Sequence, residues 1–166
     1  MTATEQSLIY LEIKGSKQGE FKTDDSQARA GKTVCLAFGH GIDVPHDTQG
    51  KGRAVVRNKP VWVICEWNPV VVQCQQAAWD NEELKEVVIK RARRDSNGNE
   101  IVYATTTLTK ATVAKFRTLS GPTSKWLPGN HPDLARISFL ASKIDVTLHT
   151  PDGDTRAHYD RKENKS

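Results

Sequence analysis

No apolar stretch in these 166 residues is long enough to cross a bilayer, which excludes a membrane-spanning helix. The first residues, Met1 to Ser7, lack a basic cluster followed by an apolar core. They do not read as a signal peptide, so synthesis in the cytoplasm is expected, and any export takes a route without a cleaved signal. Cysteine is scarce: Cys35, Cys65 and Cys74 form an odd set without a short pairing motif, which suits a reducing compartment better than a disulfide-stapled fold. No serine sits in a Gly-x-Ser-x-Gly elbow, and Gly39-His40-Gly41 and Gly50-Lys51-Gly52-Arg53 lack the strand-to-helix context of a phosphate loop. These absences remove a covalent nucleophile and a bound nucleotide from the expected functions. No repeat, low-complexity tract or domain linker is present.

Hydrophobic residues make up only 37% of the chain, yet Trp, Val and Ile gather in short blocks between polar stretches. One domain of this length buries roughly two thirds of the surface of its unfolded chain. Lysine and arginine exceed the acids by 24 − 20 = +4, a mild excess. The basic run Lys90, Arg91, Arg93 and Arg94 has no interleaved aromatic rings, so nucleic-acid binding is not expected.

The blocks read mainly as strands. Leu8–Ile13, Thr33–Phe38 and Val61–Trp67 are β-branched or aromatic runs bounded by glycine or proline. Glu86–Arg93 and Glu100–Leu108 flank Asp95-Ser96-Asn97-Gly98-Asn99, whose Asn-Gly predicts a hairpin. Strand character continues through Thr109–Phe116 and returns in Ile137–His149, where Ile144, Val146 and Leu148 alternate with polar residues. One helix is predicted from Asn68-Pro69, an N-cap followed by proline in the first turn. Val70, Val71, Cys74, Ala77 and Ala78 fall on its apolar stripe. About seven strands and one helix predict a mainly β domain over residues 1–150, a barrel or sandwich with a flanking helix. Residues 151–166 read as a polar tail that frays.

Two long connections, His40 to Asn58 and Thr118 to Arg136, are rich in Gly, Pro, Asn, Asp and His, and loops of that length are commonly functional. The first contains His40, Asp43, His46 and Asp47, nitrogen and oxygen donors that a metal could use, but no rigid element fixes their geometry. Hydrogen-bonded or interface-making loop residues are the expected reading. The acid pairs Asp24-Asp25 and Glu82-Glu83 are expected at solvated loops or element ends, and Trp62, Trp67 and Trp79 in ordinary packing. Trp126, in a polar loop between Pro122 and Pro128, is a plausible anchor for a partner.

The order of these features resembles the Hcp (haemolysin-coregulated protein) family, inner-tube subunits of type VI secretion systems. The resemblance rests on IYLEIKGSKQGEF, on FGHGIDVPHDTQGKGRAVVRNKP, on ELKEVVIKRARRDSNGNEIVYATTTLTKATV and on ISFLASKIDVTLH. It departs before and within the helix, where Glu66-Trp67-Asn68-Pro69 replaces the usual opening and three glutamines stand where leucine is common. It implies a β-barrel of two curved antiparallel sheets with one flanking helix, built into hexameric rings that stack into a hollow tube. Such a subunit is not an enzyme and needs no cofactor or metal. Its implied partners are itself, the sheath and spike proteins, and small effectors in the lumen, without nucleic acid or membrane insertion. His40, Ile42, Asp43, Val44, His46, Asp47, Lys51, Arg53 and Trp126 are then expected at ring and stacking contacts, and Lys90, Thr105 and Thr107 at the lumen. A phage tail-tube protein and a monomeric ligand- or metal-binding barrel remain as alternatives.

Overall fold

The structure, a computed structural model, describes residues 8–22, 33–52, 56–120 and 133–162. Along the chain run β1 (Leu8–Gly15), β2 (Gly19–Glu20), β3 (Thr33–Gly39), β4 (Ile42–Asp43), β5 (Arg57–Asn58), β6 (Val61–Glu66), α1 (Pro69–Asp80), β7 (Leu84–Arg94), β8 (Glu100–Leu119), β9 (Leu134–Thr150) and β10 (Gly153–Asp160). The main sheet has the order β10-β9-β6-β3-β1-β7-β8, and β8 pairs back with β9. That last pairing closes six strands into a barrel, the mainly β architecture with one helix that the strand pattern predicts.

Two long strands carry the closure. β9 pairs with β8 from Leu134↔Leu119 to Leu148↔Ala104. On its other edge β9 first meets β6, from Leu134↔Glu66 to Phe139↔Val61, and then β10, from Lys143↔Asp160 to Thr150↔Gly153. Residues 153–160, expected to fray as a tail, are thus a strand with a regular ladder on β9. The reason is visible in the side chains: Ile144 and Asp160 are buried, and Tyr159 packs on the core beside them.

Alternation fills the barrel. Leu11, Val61, Val63, Val87, Ile89, Leu108, Ile137 and Phe139 all lie in the buried core, and fully burying such a side chain is worth about 1.5–3 kcal/mol relative to leaving it exposed. α1 covers one side with Val70, Val71, Cys74 and Ala77. Its start is built as predicted: the Asn68 side chain accepts from the Val71 amide at 3.2 Å, and Pro69 stands where a missing donor costs nothing. Asn81 ends the helix in the left-handed region at φ 48°.

The 95–99 reversal is a hairpin by a different turn from the one Asn-Gly suggests. Only Gly98 takes a positive φ, 82°, and its amide donates to the Asp95 carbonyl at 3.0 Å. The Asp95 carboxylate accepts from the amides of Asn97 and Asn99, both at 2.9 Å, so the loop is a tight turn closed by a glycine bulge.

Two further expectations are corrected. Trp79 is 74% exposed rather than packed, because it lies across the helix from the buried stripe. Glu82 is 1% exposed rather than solvated. Its Oε2 accepts from the amides of Lys17 and Gln18, both at 3.1 Å, and its Oε1 from the Gln18 side chain at 3.1 Å. The turn after β1 therefore wraps a buried carboxylate, a concave arrangement of backbone donors suited to an anion. Gly15 is required there, since a Cβ would stand 2.0 Å from Glu82 Oε2.

Candidate functional site

The connection from His40 to Asn58 has a structure of its own. β4 and β5 pair through Ile42↔Asn58 and Asp43↔Arg57, and His46 bridges to Gly52. At its tip the Asp47 carboxylate accepts from the amides of Gln49 and Lys51 at 2.9 Å each, and the Asp47 amide donates to the Lys51 carbonyl at 2.9 Å. Gly50 makes the reversal with φ 79°. The ribbon is tied to the barrel where the Lys59 amide donates to the Gly41 carbonyl at 2.9 Å and Lys59 Nζ lies 3.7 Å from Asp43 Oδ2.

This ribbon exposes apolar side chains. Ile42 is 58% and Val44 44% exposed. His46 and Lys51 are exposed beside them, with Asp47 half-buried in its turn. His40 behaves differently. It is half-buried beside Asn58, and burial pushes its imidazole below the ordinary value while Asn58 opposes the shift. His40, Asp43 and His46 do not converge, and among the described residues no three His, Cys, Asp or Glu side chains are grouped to hold a metal ion. Arg53 and Trp126 lie outside the described residues.

Beside His40 opens a cleft of ≈ 480 Å³ that also meets Lys59, Trp62, Lys115, Arg136 and Ser138. Arg136 stacks over the Trp62 ring at 4.6 Å, which accounts for this tryptophan as packing against a cation. Trp67 meets Phe116 edge to face at 6.5 Å.

The second surface is the polar face of the sheet formed by β1, β7, β8, β9 and β10. Strand register places Lys90 opposite Thr105, Thr105 opposite Thr147, and Thr107 opposite Asp145. All three expected lumen residues therefore share one face, since directly paired residues of antiparallel strands point the same way. Lys90 Nζ is 3.4 Å from Glu12 Oε2, and Thr105 Oγ1 is 3.1 Å from His149 Nε2. His149 Nδ1 reaches Asp154 at 3.2 Å, His158 Nδ1 reaches Asp145 at 2.6 Å, and Lys143 Nζ reaches Asp160 at 3.5 Å. The amide of Lys162 holds the Asp160 carboxyl below its ordinary value, and Lys143 adds to the effect. Asp145, His149, Asp154 and His158 were not among the sequence-derived site residues. For Asp154 and His158 the signal is the alternation of Asp154, Arg156, His158 and Asp160, which marks one face of a strand.

A closed antiparallel barrel with one flanking helix, an exposed apolar ribbon and a polar sheet defines a scaffold that works through its surfaces. Residues 10–148 match the family model described as type VI secretion system effector, Hcp, and the chain belongs to that family. It is accordingly a structural subunit of the type VI secretion tube, a family of secreted proteins. Solved structures agree on the fold. An Hcp protein crystal structure is 22% identical with a TM-score of 0.81, covering 93% of this chain and 98% of that one. A doubly substituted Hcp1 from E. coli EAEC 042 is 21% identical with a TM-score of 0.77 and the same coverage, 93% and 98%. Secreted Hcp3 from Pseudomonas aeruginosa is 20% identical with a TM-score of 0.72, again covering 93% and 98%. No curated protein sequence matches the chain significantly.

Proposed function

We propose that this chain forms hexameric rings that stack into a hollow conduit, with the β4–β5 ribbon making ring or stacking contacts and the polar sheet facing the lumen. The exposure of Ile42 and Val44 on a ribbon fixed by backbone pairing carries this reading. Burying two such side chains against a second copy removes apolar surface from water without first having to order the ribbon. A head-to-tail contact between identical subunits closes into a ring when the rotation allows. His40, Asp43, His46, Asp47 and Lys51 supply the polar surround, and Arg53 and Trp126 belong to the same proposal.

Lys90, Thr105 and Thr107 would then present charge and hydroxyl groups to small effectors travelling inside. Cargo is held there by hydrogen bonds and ion pairs, and no bond is made or broken. Sheath and spike proteins are the proposed outer partners, with no part for a cofactor, nucleic acid or membrane insertion. Among the described residues no helix is long and apolar enough to cross a membrane. The proposed route is cytoplasmic synthesis followed by export without a cleaved signal.

Solution size measurement combined with negative-stain imaging tests the assembly. Six-membered rings are expected, and only monomers across a wide concentration range would sink the proposal. Deleting residues 46–51 should preserve the barrel and weaken stacking. Unchanged tubes after that deletion would remove the ribbon tip from the mechanism.

A further inference from the structure

Cys35 and Cys65 stand directly opposite each other on β3 and β6, with their Sγ atoms 2.8 Å apart. Both are buried free thiols, at 4% and 0% exposure, and they come from positions thirty residues apart in the chain. Directly opposed residues of an antiparallel pair have Cα atoms about 4.5–5.5 Å apart, inside the range a disulfide bridges. Closing from 2.8 Å to a bond of about 2.05 Å needs a shift of roughly 0.75 Å, small enough for rotation about the two side chains. The register slips just beyond Cys35, between Cys35 and Ala37, so the backbone on one side of the pair is already irregular and can take up the change.

We propose that Cys35 and Cys65 form a reversible disulfide that staples β3 to β6 when the protein meets a small-molecule disulfide in an oxidising compartment. The proposal is independent of ring assembly. One cysteine, as thiolate, attacks a sulfur of the small disulfide, forms a mixed disulfide and expels one small thiolate. The second cysteine, after losing its proton, attacks the protein sulfur of that mixed disulfide and expels the other small thiolate. Two protein thiols thus lose two electrons and two protons, and one disulfide reagent becomes two thiols.

The hydrogen bond with the neighbouring Cys65 thiol, and then burial, push the Cys35 thiol well above its ordinary value, so the closed barrel holds little thiolate. Reaction therefore proceeds through local opening of β3. Among the described residues β3 has short ladders, meeting β1 only at Cys35, Val34 and Thr33 and meeting β6 only at Cys35, Ala37, Phe38 and Gly39. Cys74 on α1 is fully enclosed with its thiol raised by burial, and it has no strand partner; it is the spectator.

The test is to equilibrate the full chain in mixtures of oxidised and reduced glutathione, alkylate remaining thiols under denaturing conditions, and map peptides by mass spectrometry. The expected product is one intramolecular bond joining the peptides of Cys35 and Cys65, with Cys74 alkylated, reversed by excess dithiothreitol. A thirty-residue closure should raise the thermal midpoint of the oxidised chain by roughly 5–10 °C over the reduced one. Formation should speed up several-fold in mild urea that opens β3, and Cys74→Ala should leave it intact while Cys35→Ala abolishes it. Three alkylatable thiols after equilibration, in buffer and in mild urea alike, would overturn the proposal. So would a bond that involves Cys74 or joins two chains. The wild-type peptide map decides the question even if the Cys35→Ala variant does not fold.

Discussion

The β8–β9 side of the barrel and the β3 side are built on different scales. The former runs from Ala104↔Leu148 to Leu119↔Leu134 with one register shift between Val113 and Lys115, whereas β3 among the described residues touches β1 over Thr33–Cys35 and β6 over Cys35–Gly39. The same closed sheet thus has a thickly laced wall and a thin seam. Opening free energy follows local pairing and buried contacts, so the two sides should exchange their amide hydrogens at different rates, slowest at the wall.

The largest expected disruption of this contrast is Phe139→Ala. Phe139 is 1% exposed and pairs with Val61 on one side and Val113 on the other, so it joins wall to seam. Its loss should cost about 3–5 kcal/mol in urea unfolding and bring wall amides toward seam rates. A smaller effect is expected from Glu82→Ala, which strands the amides of Lys17 and Gln18. That should cost about 2–3 kcal/mol and loosen the β1–β2 turn before the wall. Since Gly15 faces the same carboxylate, Gly15→Ala and Glu82→Ala should combine with less than additive cost, measured by a double-mutant cycle.

The smallest effect is a pH dependence at His40. Its folded value lies below the ordinary 6.5, so below pH 6.5 the unfolded chain binds the proton that the half-buried ring refuses. Stability should therefore fall as pH drops from 6.5 through the folded value, and level off below it. His40→Gln should flatten that slope in urea titrations at several pH values, and an unchanged slope would assign the acid sensitivity to other groups.

Local signals were legible in the chain, and distant ones were not. Asn68-Pro69 announces α1, and the Asp95–Asn99 reversal announces the β7–β8 hairpin, because each rests on neighbours in sequence. β10 escaped because its alternating residues are charged on one face and offer only Ala157 and Tyr159 on the other, too little apolar rhythm to mark a buried strand. The ribbon escaped as structure because β4 and β5 are two residues each. Glu82 reads as half of a solvated acid pair, since the amides that bury it lie 64 and 65 positions away. For the site, Lys90, Thr105 and Thr107 were legible as one face from the hairpin alone. The histidine and aspartate partners contributed by β10 depend on strand register, which no local pattern encodes.

The unequal lacing also has a mechanical meaning. Hydrogen bonds of an antiparallel ladder run perpendicular to its strands. A push or pull along β8 and β9 therefore loads their whole ladder at once, in shear, while a force across the strands would part the bonds one after another, like a zipper. The long β8–β9 pair makes the subunit stiff in one direction and peelable in another, and whichever direction lies along the tube axis sets how much thrust a subunit can transmit before it opens.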